Sequence, residues 1–185
     1  GLEKYENREG ILFVGGFQHD PNVDAVKFLV KEILPQVQQK LGSIQFTIIG
    51  SNATEDVFEL QGESVNVLGW VEDLLPHYNS HKMVVAPLRY GAGVKGKIGE
   101  ALSHGIPTVT TSVGVEGMPL VNGQDILFAD TADEIADAVV KVYNDEKLWT
   151  SLSLNGQRKI DSLVGSEALR KMVDDLLDQV SGLKA

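Results

Sequence analysis

Cysteine is absent from this sequence. The chain therefore has neither a disulfide framework nor a thiolate metal site, which suits a reducing compartment and makes the cytoplasm the expected location. Long apolar runs are missing too: no stretch approaches the roughly 18 residues that a membrane-spanning helix needs, and the polar start "GLEKYENREG" is not a leader pattern. Basic residues are in short supply, 16 against 26 acidic, for a formal net charge of -10. That balance argues against nucleic acid and against an anionic membrane surface as partners, because both are bound through net basic surfaces. No internal repeat, low-complexity tract or Ser/Pro-rich linker divides the chain. His19, His77, His81 and His104 lack metal-ligand spacing, so no metal site is expected, and no nucleophile elbow or Ser-His-Asp order is present.

What is present is the material of one sizeable core: 43% hydrophobic and 23% charged residues over 185 positions. Short apolar runs, "ILFVGGF" (11–17), "FTIIG" (46–50), "VNVLG" (65–69), "MVVAPL" (83–88), "PTVTT" (107–111) and "ILFA" (126–129), alternate with stretches of helical period. This pattern predicts an α/β fold with a doubly wound, parallel, six-stranded Rossmann-like sheet. Between the first two runs, Val26, Leu29, Val30, Ile33, Leu34, Val37 and Leu41 mark one face of a helix, and Pro35 predicts a kink or a tightened turn near Leu34. Thr131 and Glu134 are spaced for a capping box. A further amphipathic helix is expected from Ser166, with Leu169, Met172, Val173, Leu176, Leu177 and Val180 on one stripe. Residues 1–9 read as a tail or interdomain linker remnant and residues 10–185 as the domain.

The stretch "RYGAGVKGKIGEALSHG" (89–105) holds five glycines and three bases in an acidic protein. It leaves the fourth predicted strand at its carboxyl end and feeds a short helix with Ile98, Ala101 and Leu102 inward and Gly105 as its terminal cap. Free backbone N–H groups and the helix dipole make such a junction an anion site. Gly91, Gly93 and Gly96 let a ligand approach the backbone. Arg89, Lys95 and Lys97 make the stretch locally positive, and either Lys95 or Lys97 can reach a diphosphate over the helix start. Glu100 lies one turn into the helix, where its two oxygens suit two adjacent hydroxyls. Phosphate on the backbone and lysine, with a ribose diol on Glu100, describes a nucleotide. The loop matches neither G-x-x-x-x-G-K-[ST] nor a G-x-G-x-x-G fingerprint, which turns the reading away from ATPases and NAD enzymes.

"GAGVKGKIGEALSHGIPTVTTSVGVEGM" followed by "VNGQDILFADTADEIADAVVKVYND" resembles the C-terminal, donor-binding domain of retaining GT-B glycosyltransferases of the glycosyl transferases group 1 family. The likeness runs from "ILFVGGF" to about "LWTSLSLNGQ". It implies one Rossmann-like lobe of a GT-B fold that binds a UDP-sugar or GDP-sugar donor and uses no separate cofactor. The family's ribose-binding glutamate falls on Glu100, and its distal phosphate and sugar loop on Gly91, Ala92, Gly93, Val94 and Gly96, with basic contacts at Arg89 and at Lys95 or Lys97. Electrostatic stabilisation of the leaving diphosphate by Lys95 or Lys97 would be the catalytic contribution. "GGFQHDPN" matches the glycine-rich turn near the diphosphate, which brings in Gly15, Gly16 and His19. "LGWVEDL" matches the base-proximal loop, with Gly69, Trp70 and Val71, where Trp70 either stacks on the base or packs against the fold.

One departure stands out. The family commonly carries a second glutamate eight positions before the first, and that position is Ala92. The resemblance implies an isolated donor half that transfers nothing alone, with the sugar or lipid-linked acceptor held mainly by an N-terminal lobe outside this sequence. Polysaccharide biosynthesis is the expected setting. Glu116, at another strand end, either faces the donor sugar or is solvated. An epimerase-like enzyme and a non-catalytic nucleotide-binding module are the alternatives.

Overall fold

The computed structural model describes residues 4–93 and 95–164. The amphipathic stretch from Ser166 and the loop residue Val94 lie outside the described residues. All six expected strands form: β1 (Ile11–Val14), β2 (Phe46–Ile49), β3 (Val65–Gly69), β4 (Met83–Ala86), β5 (Thr108–Thr110) and β6 (Leu127–Phe128). They make one parallel sheet in the order β3-β2-β1-β4-β5-β6. Side chains alternate across it, as the two-residue period of a strand requires. Ile11, Phe13, Phe46, Ile48, Met83 and Val85 enter the larger core, while Leu12, Ile49 and Val84 enter the core on the opposite face.

Over the larger core lie α1 (Asp20–Phe28), α2 (Leu34–Leu41), α3 (Glu55–Phe58) and α6 (Ala132–Asn144). Of the kink or tightened turn expected near Leu34, the tightened turn does not form; the helix widens into a π turn over Leu29–Ile33, in which the Leu34 N–H bonds to the Leu29 carbonyl. Pro35 has no N–H to give the carbonyl four residues back, so the ladder slips by one residue and continues. The expected capping box at α6 is formed: Glu134 N–H donates to Thr131 Oγ1 at 3.3 Å, and Thr131 N–H to the Glu134 carboxylate at 3.3 Å.

The opposite face carries α4 (Leu75–Ser80) and α5 (Gly96–Ser103). α5 ends in a Schellman motif. Gly105 has φ 64, its N–H bonds the Leu102 carbonyl at 2.9 Å, and Ile106 N–H bonds the Ala101 carbonyl at 3.2 Å. Helix α7 (Glu146–Val164) has no counterpart among the expected elements. Its buried face, Trp149, Leu152, Ser153, Gly156 and Ile160, includes a serine and a glycine, which hides the apolar stripe. Ser153 donates to the Gly105 carbonyl at 2.6 Å, so α7 is fastened to the end of α5.

Residues 4–9, read in the sequence as a tail or linker, pack against the amino end of the sheet. The Arg8 side chain is fully buried, donates to the Tyr78 carbonyl at 2.5 Å and lies 5.1 Å from the Trp149 ring centroid. Lys82 sits 3.7 Å from the centroid of the Tyr5 ring, a cation–π contact that offsets its burial. Among the described residues no helix is long and apolar enough to cross a membrane.

Gly156 tests the α5–α7 seam. A Cβ there would come within 2.8 Å of both the Asp125 carbonyl oxygen and Leu102 Cδ2. Alanine gains about 1 kcal/mol of helix propensity, but overpacking of this kind costs about 1–3 kcal/mol. Gly156→Ala is therefore expected to lower the urea midpoint, and a higher midpoint would show that the seam is loose.

Candidate functional site

The strand order reverses direction between β1 and β4, and the chain leaves their carboxyl ends on opposite sides of the sheet. A crevice opens there, as it does at such switch points in open α/β sheets. One hollow of about 420 Å³ is lined by Phe13 and Ala86 at its floor, by His19, Pro21 and Asn22 from the start of α1, and by Gly91, Ala92 and residues 95–98 from the start of α5. A second, of about 210 Å³, lies over β2 and β3 and is lined by Gly15, Gly16, Ser51, Trp70, Val71 and Leu74. Lys97 lines both.

Two helix N-termini without side-chain caps, those of α1 and α5, border the first hollow. Each carries the partial positive charge of its dipole. The glycine loop between β4 and α5 is shaped by backbone that other residues avoid: Gly91 has φ 121 and Gly93 φ 83. Lys95 closes this loop on itself, its ammonium donating to the Gly91 carbonyl at 2.8 Å and the Gly93 carbonyl at 2.6 Å. Behind the loop, Thr110 donates to the Ala86 carbonyl at 2.7 Å and Thr111 to the Leu88 carbonyl, which anchors the end of β4.

These contacts set the two lysines, alike in the sequence, in different surroundings. Lys95 is occupied by its loop. Lys97 is half-buried, has no hydrogen-bond partner among the described residues and lies where the hollows meet. Burial pushes its pKa below the ordinary lysine value, with the Glu100 carboxylate acting in the opposite direction. An anion bound between the hollows would supply the counter-charge.

Arg89 lines neither hollow. Its guanidinium grips Asp24 of α1, with Nε 2.9 Å from Oδ2, and lies over the Phe28 ring at 4.6 Å. The Arg89 hydrogen bond holds the Asp24 carboxyl below its usual pKa, and the same bond raises that of Arg89. The pair thus pins the first residue of the glycine loop to α1.

Of the other candidate residues, His19 is exposed at the rim of the first hollow and Ala92 presents only a methyl group to it. Gly69 is buried, and its carbonyl accepts from Gly50 N–H at 2.8 Å. Trp70 is 70% exposed, so its indole is not a core side chain but one wall of the second hollow. Glu100 is exposed and lines an adjoining groove with Ser103, Met118 and Pro119, one helical turn beyond Lys97. Glu116 is exposed next to Gly117 of that groove.

Gly50 and Ser51 line the second hollow without belonging to any matched motif, while Pro21, Asn22 and Leu74 fall within "GGFQHDPN" and "LGWVEDL" but were not singled out. Gly50 ends the run "FTIIG", and its position at a strand end was the available clue. A Cβ on Gly50 would fall 1.6 Å from the Gly15 carbonyl oxygen, so the two strand-end turns meet backbone to backbone. Asn22 secures the same turn by donating to the Gly16 carbonyl at 2.7 Å.

The model of the family described as glycosyl transferases group 1 matches residues 8–145. Among curated proteins the chain is similar to the capsular polysaccharide biosynthesis glycosyltransferase CapM of Staphylococcus aureus, at 27% identity over 76% of this chain and 40% of that protein. It is also similar to an uncharacterized 44.6 kDa protein in the cps region of Klebsiella pneumoniae, at 25% identity over 83% of this chain and 38% of that one. The chain thus spans about two fifths of the length of these relatives. Among solved structures, TarM of S. aureus superposes with a TM-score of 0.75 at 16% identity, over 94% of this chain and 35% of that one. The C-terminal domain of the group 1 family protein LpcC from Francisella tularensis gives 0.66 at 16% identity, over 85% and 88% of the two chains. Anabaena Alr3699/HepE, solved with UDP and glucose, gives 0.74 at 13% identity, over 94% and 49%. These likenesses establish the Rossmann-like fold, one parallel sheet with helices on both faces.

The Arg89–Asp24 pair makes stability depend on pH. Because the folded Asp24 pKa lies below its ordinary 3.8, the pair's contribution is complete above that value and is lost as pH falls through the lowered one. Asp24→Asn is expected to destabilise the protein near pH 7 by up to about 1 kcal/mol, the range of a partly exposed pair. In urea unfolding the gap from wild type should shrink as pH drops below about 4. A gap that stays constant over that range would rule out the charged pair as its source.

Proposed function

The chain belongs to the glycosyl transferases group 1 family, and on that premise we propose that it forms the donor-binding half of an enzyme that transfers a sugar from a nucleoside-diphosphate sugar to an acceptor. The observation that carries this reading is the position of Lys97: a half-buried lysine where the two hollows meet, at the start of α5. The diphosphate lies on Lys97 and the two helix starts, the base lies against Trp70 in the smaller hollow, and the sugar occupies the larger hollow beneath Gly91–Gly93. Glu100, at the edge of this path, takes the ribose hydroxyls. The donor is a UDP-sugar or GDP-sugar, with no other cofactor, and the setting is cytoplasmic polysaccharide synthesis.

Transfer breaks the bond between the anomeric carbon and the diphosphate oxygen and forms one to the acceptor oxygen, whose proton passes to the leaving diphosphate, with retention at that carbon. Negative charge grows on the leaving diphosphate, where the Lys97 ammonium and the helix dipoles act. Lys95 contributes by holding the loop carbonyls that shape the sugar's hollow. With Ala92 in place of the usual glutamate, no carboxylate from that position reaches the donor sugar, and the loop backbone orients it instead. An N-terminal acceptor lobe outside this sequence completes the enzyme. Support for this part comes from coverage, about two fifths of each curated relative but 88% of the isolated Francisella domain.

Calorimetry with UDP, GDP and ADP tests the reading. One of the first two is expected to bind, and Lys97→Ala and Glu100→Ala are each expected to weaken it about 10- to 100-fold, the range of hydrogen bonds to charged groups. Lys95→Ala should act less on affinity than Lys97→Ala. Absence of binding by all three nucleotides would sink the donor-site proposal.

A further inference from the structure

Tyr78, in the middle of α4, is among the largest fully buried side chains, and its hydroxyl has no hydrogen-bond partner among the described residues. Its surroundings are apolar: Leu12, Ile49, Val84, Ala101 and Ile106. An unpartnered buried hydroxyl is destabilising, whereas phenylalanine would fill the same space without that penalty. Among the described residues the hydroxyl thus has a donor to offer and nothing that accepts it.

The geometry indicates which group can accept it. The Tyr78 ring stacks on His104 at the end of α5, with centroids 5.0 Å apart and planes 20° from parallel. Four residues back on the same helix, hence on the same face, stands Glu100. Burial is the main cause of a raised Tyr78 pKa, and the second is the Glu100 charge, so the carboxylate and the phenol lie within electrostatic reach of each other. Glu100 is exposed and its carboxylate has no hydrogen-bond partner among the described residues either. Two groups without hydrogen-bond partners among the described residues, one donor and one acceptor, thus lie near each other, Glu100 standing one turn before the histidine on which the Tyr78 ring stacks.

We infer that Tyr78 is a positioning residue for nucleotide binding: its buried hydroxyl donates to the Glu100 carboxylate when that side chain turns inward to receive the ribose diol. This inference rests on the donor-site reading above. A carboxylate has about four acceptor positions, so one bond from Tyr78 leaves room for both ribose hydroxyls. The bond would hold the carboxylate in the rotamer that meets the diol and would remove the buried orphan at the same time.

The test is Tyr78→Phe in the intact chain, studied by thermal unfolding and by calorimetry with UDP and GDP and with their 2′,3′-dideoxy forms. Without nucleotide, the variant is expected to melt at the same temperature as wild type or higher. It should bind the better of the two diphosphates about three- to tenfold more weakly, yet bind the dideoxy form as wild type does, and add no loss in a Glu100→Ala background. A lower melting temperature would mean that the hydroxyl already has a partner in the free protein, and would overturn the inference. So would undiminished affinity in Tyr78→Phe alongside a loss in Glu100→Ala, a result that leaves the donor-site reading standing. An equal loss with the dideoxy ligand would also overturn it. If wild type binds neither diphosphate, the donor-site reading falls and this inference with it.

Discussion

The parallel pairing of β1 with β4, Ile11 beside Met83 and Leu12 beside Val84, is the contact on which the rest of the molecule depends. These strands are distant in sequence, and each pairs on its other side with a strand that follows it in the chain, β2 for β1 and β5 for β4. The connections must therefore diverge. One carries the chain into α1 over the larger core, the other through the glycine loop into α5 on the opposite face, and the space between them becomes the crevice. Since both helices start at the carboxyl ends of their strands, both dipoles present their positive ends to it.

Within that crevice the positive side chains divide their roles. Arg89 is drawn to Asp24 and Phe28, and Lys95 to the carbonyls of its own loop. Both act on the loop's shape. Lys97 alone of the three lines both hollows without a hydrogen-bond partner among the described residues. A protein of net charge -10 thus keeps a locally positive stretch through geometry: two bases are tied to the loop and its neighbour helix, and the third lies where the hollows meet. The backbone carries a comparable share, since Gly15 and Gly50 meet too closely for any side chain.

Much of the fold was legible because it rests on local periodicity and local caps. The six strands appear as short apolar runs, and the Thr131–Glu134 box and the Gly105 terminus need only residues a few positions apart. Helix α7 was not legible, because its inward face uses Ser153 and Gly156, residues chosen for contact with Gly105, Asp125 and Leu102 far away in the chain. The π turn before Pro35 illustrates the same limit. A proline announces a lost hydrogen bond, but whether the helix tightens, kinks or widens depends on which register keeps Leu29 and Ile33 in the core.

The site divides along the same line. That a basic, glycine-rich junction stands at the end of the fourth strand, with a carboxylate one turn further on, was determined by the sequence, since a strand, a loop and a helix start are all contiguous features. That Lys95 is tied to its own loop, that Arg89 belongs to Asp24, that Trp70 walls a hollow, and that a tyrosine hydroxyl from α4 has no partner among the described residues were decided only by the tertiary structure. The physical reason is that a side chain's availability depends on what else competes for it. Those competitors, carbonyls, carboxylates and rings from distant segments, are brought near only when the sheet and its two helical layers assemble.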